Sequence, residues 1–418
     1  MQRRTFLEIG SSLASMPFFM GAAPRNNPHA PFKKLTPKGE KAVVFIMLNG
    51  GNSHIDFTHA NPNAINGMHA INGAIETKTP GLWFGADFSN LANISDKLNV
   101  IHSYHHKNNN HFNGQCIQVS GKNSIGVDQT EPSYGSFISK IYGTSNEENG
   151  LPIYLEVSRS DGLQGAWLGS AYNSYNTNNR NTDDLVLKLS PERFNQRLKF
   201  LQAIDKGFNQ RDRQADVMSK LREQAVSMIS GNIKDTFDIS LEKPETLEKY
   251  GNNAFGKSLV MARRLLEAGG RFIHAGVGGW DMHSNISQGM KSQGPQLDNA
   301  LSAFIIDLEQ RGMLQNTLIV LCSDFGRTPK LNNGNGANPG RDHWGNLCSL
   351  VFAGGSSEKG RLIGKADRLM TIPEEKPFTP KDVAKTIFDH FDISNTQFTT
   401  AEGRPMWMYE KDSTNILS

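Results

Sequence analysis

Six continuous apolar runs constrain this chain more than any other feature. Ala42–Leu48 reads AVVFIML, with no polar residue to mark a solvated face, and such a run suits a strand covered on both sides within a parallel sheet. Runs of the same kind fall at Val100-Ile101, Leu151–Val157, Arg271–Val277, Thr317–Cys322 and Cys348–Ala353. Amphipathic stretches alternate with them. Phe255–Ala268 is closed by Gly269-Gly270, and Leu297–Gln310 by Gly312, both good helix stops. Strand and helix in alternation predict an α/β fold, a mostly parallel sheet with helices on both faces. A stretch at about 190–230, rich in Gln, Arg and Lys at helical spacing, reads as a helical insertion. Ligands of such sheets gather just past the carboxyl ends of the strands, so chemistry is expected there.

The N-terminus is a separate object. Arg3-Arg4-Thr5-Phe6-Leu7 is a twin-arginine pair followed by Phe-Leu, and a weakly apolar segment runs from Leu7 to Ala23. It contains Glu8 and Pro17 and is too short and polar to span a bilayer, so residues 1–23 read as a twin-arginine signal peptide. Residues 24–40 read as a linker, and 41–418 as one domain. The expected address is the periplasm or the medium, with the twin-arginine translocase as a transient partner and no membrane span.

Net charge is +3 over 418 residues, with no basic block interleaved with aromatics, so nucleic-acid binding has no support. Cys116, Cys322 and Cys348 lack metal-type spacing and are expected as buried free thiols.

Histidines and carboxylates cluster after the apolar runs. His54 and Asp56 follow Asn49-Gly50-Gly51, and His102, His105, His106 and His111 follow Val100-Ile101. Gly278-Gly279-Trp280-Asp281-Met282-His283 places a carboxylate and an imidazole at i and i+2 on a glycine turn, a compact pair for a divalent ion. Asp324 sits at the tip of the Thr317–Cys322 run, and Arg327, three residues on, carries a fork of donors suited to an anion. His343, in Arg341-Asp342-His343-Trp344, precedes the last run. Mixed Asp and His donors fit one or two divalent ions of the transition type, zinc or manganese, better than calcium with its all-oxygen shell.

In this order, LNGGNSHID, GGWDMH, SDFGRTP and GRDHW resemble the exported bacterial "domain of unknown function 1501" family, which is similar to a branch of the alkaline phosphatase and sulfatase superfamily. The resemblance covers about Lys41 to Trp407. It implies a doubly wound α/β fold with a metal centre at the strand ends. Asp281, His283 and His343 match ligands of one metal, and Asp324 matches a ligand of a second. Phe325 stands where the superfamily has His, so the second site has lost a ligand or borrows one, His54 or His111. No Ser or Thr occupies the nucleophile position near Asn109–Asn113, and Cys116 lacks the formylglycine context. The reading implied is a metal-dependent hydrolase of phosphate or sulfate esters on a small molecule or glycan. Metal-activated water is the nucleophile, Arg327 stabilises charge, and His111 acts as acid or base, with a covalent nucleophile as its second possible role. The alternative is a non-catalytic cell-surface binding or assembly protein that keeps the fold.

Overall fold

A computed structural model describes residues 40–418 apart from 66, 123–129, 159, 178–184, 209–212, 232, 333–337 and 401. The expected signal peptide and linker, up to residue 39, lie outside the described residues.

The main sheet has eight strands: β1 Ala42–Leu48, β2 Leu98–Ile101, β3 Tyr154–Glu156, β4 Tyr175–Asn176, β5 Phe272–Val277, β6 Thr317–Ser323, β7 Leu350–Gly354 and β8 Arg361–Ile363. Their spatial order is β8-β2-β7-β6-β1-β5-β3-β4. Every pairing is parallel except those of β7, which runs antiparallel to both β2 and β6. Strand β1 lies between β5 and β6 and is buried along its whole length. Its alternate residues feed different cores: Val44, Ile46 and Leu48 one side, Val43, Phe45 and Met47 the other. That double burial is why the run shows no polar alternation.

The first core is closed by Ala254–Glu267 and Ile286–Gln310 through Leu259, Leu265, Leu297 and Phe304. The second is closed by His111–Ser120, Tyr134–Tyr142 and Pro380–His390 through Val119, Phe137 and Val383. Helices on both faces of a mostly parallel sheet make this the α/β layering that the runs predict. Two helices, Pro191–Phe208 and Arg213–Ser230, occupy the stretch around 190–230. No helix among the described residues is long and apolar enough to cross a membrane.

Two elements depart from expectation. The helix foreseen at Leu297–Gln310 begins at Ile286 and runs through Gly289, Gly294 and Pro295. Met290 and Ile286 are buried at 0% and 1% exposure, and their core contacts offset the propensity cost of those residues. Strand β7 is antiparallel, so Leu350 at its start pairs with Cys322 near the end of β6. The segment before β7 is thereby delivered to the edge where the parallel strands finish.

Candidate metal centre

Four loops meet at that edge. Asn49-Gly50-Gly51 leaves β1, Gly278–His283 leaves β5, Asp324–Arg327 leaves β6, and Arg341–Trp344 approaches β7, with His343-Trp344 paired to Gly326-Arg327 in a short antiparallel ribbon. A fifth contributor is His111, the first residue of a helix whose N-cap, Asn110, accepts a hydrogen bond from the Asn113 amide through its side chain. Gly50, with φ 110°, passes so close to the β5 loop that a Cβ there would fall 2.7 Å from the Asp281 nitrogen. Only glycine permits that approach.

The cluster centres on the Asp281 carboxylate. His283 Nε2 lies 3.1 Å and His343 Nε2 3.3 Å from Asp281 Oδ1, and the two Nε2 atoms lie 2.9 Å from each other. His111 Nε2 lies 3.5 Å from Asp281 Oδ2. One ligand atom each from His111, Asp281 and His343 fall within 4.8 Å of one another.

The opposite ring nitrogens fix the tautomers. His283 Nδ1 is 2.8 Å from Asp342 Oδ1, His343 Nδ1 is 2.8 Å from the Asn109 carbonyl, and His111 Nδ1 is 2.7 Å from Asp324 Oδ2. A carboxylate or carbonyl oxygen can only accept, so each Nδ1 carries a proton, and a ring in its neutral form turns an Nε2 lone pair toward Asp281. Two lone pairs and a carboxylate oxygen within 3.3 Å repel unless positive charge lies among them. A cation bonded at 2.0–2.1 Å to tetrahedral ligands requires edges of about 3.3 Å between ligand atoms, so the set fits a zinc-like ion with a small outward adjustment.

The electrostatics agree. Burial works to raise the Asp281 pKa, but the Arg327 hydrogen bond and neighbouring charges outweigh it and bring it down to about 2. The hydrogen bond to Asp324 raises the His111 pKa, whereas desolvation lowers that of His343. Asp342 is lowered, chiefly by His283. Side-chain exposures of 49% for Asp281, 46% for His283, 35% for His111 and 23% for His343 leave the centre open on one side.

Three expected site residues have their polar atoms taken up largely by the protein. Arg327 is fully buried and its fork is engaged: Nε donates to Gly51 O at 2.7 Å, Nη1 to Arg341 O at 2.9 Å, and Nη2 to Asp281 Oδ1 at 2.6 Å and to Gly50 O. It meets protein carbonyls where an incoming anion was expected. Asp324 is fully buried behind His111, and its Oδ2 accepts from Gly50 N at 3.0 Å and Gln115 Nε2 at 3.2 Å besides His111. It orients an imidazole, and its Oδ1 has no hydrogen-bond partner. His54 has both ring nitrogens engaged, Nε2 donating to Met370 O at 3.0 Å and Nδ1 accepting from Arg327 N at 3.3 Å, and desolvation takes its pKa to about 4. The residues given no supporting role in the sequence reading are Asp342 and Asn109. The signal for Asp342 was its place beside His343 and the only hint for Asn109 was the asparagine run, because a backbone carbonyl leaves no mark on side-chain chemistry.

The model of a family described as "Protein of unknown function (DUF1501)" matches residues 40–418. No curated protein matches the sequence. Similar solved structures include the PsFucS1 sulfatase from Pseudoalteromonas sp., at 11% identity and TM-score 0.45, covering 92% of this chain and 74% of that one. The lipoteichoic acid synthase LtaP from Listeria monocytogenes overlaps at 9% identity and TM-score 0.43, with coverages of 92% and 77%. The alkaline phosphatase from the Antarctic bacterium TAB5 overlaps at 13% identity and TM-score 0.38, with coverages of 85% and 98%.

Proposed function

The chain belongs to the DUF1501 family, and we propose that it is an exported hydrolase of phosphate or sulfate esters that works with one divalent ion, zinc or manganese. The observation that carries the reading is the convergence of Nε2 lone pairs from His283 and His343 on Asp281 Oδ1, each ring backed by an acceptor on Nδ1. Asp281, His283 and His343 hold the ion. One ion is expected, because both ring nitrogens of His54 and Asp324 Oδ2 are engaged, which leaves Asp324 Oδ1 as the lone unused atom of the second set. Such an ion supplies Lewis acidity toward an ester oxygen and lowers the pKa of water.

His111 is the acid–base group. Its Nδ1 is anchored on a carboxylate that is itself fully buried, which fixes the ring and raises its proton affinity, and its Nε2 faces the same opening as the ligands. The openness of the centre favours this reading over a purely structural ion, whose shell is closed by protein. The engaged fork of Arg327 favours the alternative, a non-catalytic surface protein that retains the ion, since four of its five N–H groups are already taken by the protein.

Elemental analysis of protein recovered from the exported fraction tests the reading, a fraction that Lys at positions 3 and 4 should empty. About one equivalent of metal is expected, falling at least tenfold in His283→Ala. His111→Ala should keep the metal and lose the hydrolysis of aryl phosphate or sulfate esters by about a hundredfold or more. Metal absent from the unmodified protein rules out the mechanism. Metal present with no ester turned over leaves the surface-protein alternative standing.

A further inference from the structure

The helices Pro191–Phe208 and Arg213–Ser230 carry apolar side chains that neither core covers. None of the described side chains in Pro191–Phe208 is buried, although Phe194, Leu198 and Leu201 recur at helical spacing, and Phe200 is 52% exposed. Arg213–Ser230 is fastened to the body along one side. Met228 is buried in the first core, Gln224 Nε2 donates to the Thr144 carbonyl at 3.1 Å, and Lys220 lies over the Tyr172 ring. A second strip of the same helix, Met218, Leu221 and Ala225 at i, i+3 and i+7, is exposed, Met218 at 57%. A surface helix ordinarily turns its apolar stripe to the core. These strips face solvent instead, and contiguous exposed apolar side chains mark a surface that meets something else.

Positive charge accompanies them. Residues 191–230 hold eight Lys and Arg against five Asp and Glu, an excess of three that equals the net charge of the whole chain. The rest of the chain is therefore neutral on balance. Arg193, Arg197 and Phe200 stand at i, i+4 and i+7 and share a face, and Arg222 adjoins the strip that holds Leu221. Basic and apolar side chains together on one face of a helix suit anionic headgroups lying over acyl chains. They suit a second copy of this chain poorly. A two-fold interface sets a patch against itself, so the excess positive charge would meet its own like.

We propose that these two helices seat the protein on an anionic lipid surface. They lie in the plane of the headgroups: Phe200, Met218 and Leu221 enter the boundary with the acyl chains, and the arginines remain among the phosphates. Attachment of this kind is peripheral and weakens as salt screens the charges. It does not depend on the ester-hydrolase reading, since no residue of the metal centre takes part.

Co-sedimentation of the full chain with vesicles of phosphatidylcholine alone, and with vesicles that also carry about 30% phosphatidylglycerol, tests the proposal. Binding to the anionic vesicles is expected to be about tenfold or more tighter than to the neutral ones, and to fall at high salt. Phe200→Ser combined with Met218→Ser should weaken it about tenfold or more. Both positions are exposed, and circular dichroism checks that the fold is kept. Arg193→Glu combined with Arg197→Glu should weaken binding to the anionic vesicles and leave the neutral ones unaffected. The N-terminal segment is common to every form, so differences between forms are read from the helices. No binding to the anionic vesicles overturns the proposal, as does equal binding to both kinds or binding that neither pair of substitutions alters. A dimer in gel filtration that Phe200→Ser with Met218→Ser dissociates, in a protein that binds no vesicles, would give the face to a second copy.

Discussion

Arg327 shows how a side chain chosen for anions can be turned to architecture. Its donors reach the carbonyls of Gly50, Gly51 and Arg341 and the Asp281 carboxylate, which join three separate loops. Arg327→Leu would leave those buried acceptors unmatched and Asp281 without its cation. A loss of about 3–5 kcal/mol in unfolding free energy is expected, read as a lower urea midpoint, with metal affinity falling in parallel. An unchanged midpoint would show that water replaces the guanidinium at little cost. At this scale the side chains that come together were legible and their supports were not. Asp281, His283 and His343 announce themselves as donors on glycine-flanked turns after apolar runs. Asp324, Arg327 and His54 have the same chemistry and similar settings, yet their polar atoms are taken by the backbone of other loops. Sequence gives a residue's donors and acceptors, and only the packed chain shows which of them are already in use.

Among the elements, the helix His111–Ser120 places its first residue against Asp281. Asn110 caps it, so Asn110→Ala should cost about 1 kcal/mol and appear as a lower melting temperature. The first turn, His111 included, should also lose amide protection in hydrogen exchange ahead of the sheet. Protection unchanged at the first turn would mean that the His111 contact to Asp324 alone holds it. The sheet was readable because strands covered on both faces cannot hide their composition. The Ile286–Gln310 helix was half hidden, since its first half carries Gly289, Gly294 and Pro295, which read as breaks, while Gly294 in fact lets the helix close on Asp87. Strands β4 and β8, of two and three residues, carry no apolar run and left no signal.

For the molecule as a whole, four buried imidazoles set the response to acid. His54, His59, His102 and His274 are at most 8% exposed. Desolvation, the largest cause in each, takes the pKa to about 4 for His54 and His102, to about 3 for His274 and well below the usual value for His59. The folded state keeps them neutral, while the unfolded chain binds protons once the pH drops below about 6.5. Stability from these groups is therefore fully present above that pH and is lost as the pH falls toward 4. Four such groups give a slope near 5 kcal/mol per pH unit, large against the 5–15 kcal/mol of an ordinary domain. The urea midpoint should be level from pH 7 to 9 and collapse between pH 6.5 and 5. A midpoint that holds to pH 5 would mean that these rings gain solvent or partners on protonation.

The ligands are scattered along the polypeptide: His283 and His343 stand 60 residues apart, and His343 leans on a carbonyl 234 residues earlier. A zinc finger gathers its ion from one short stretch and folds around it; here no fragment owns enough donors to try. Any ion these residues hold would therefore bind only after the antiparallel strand β7 has drawn the final loop into place.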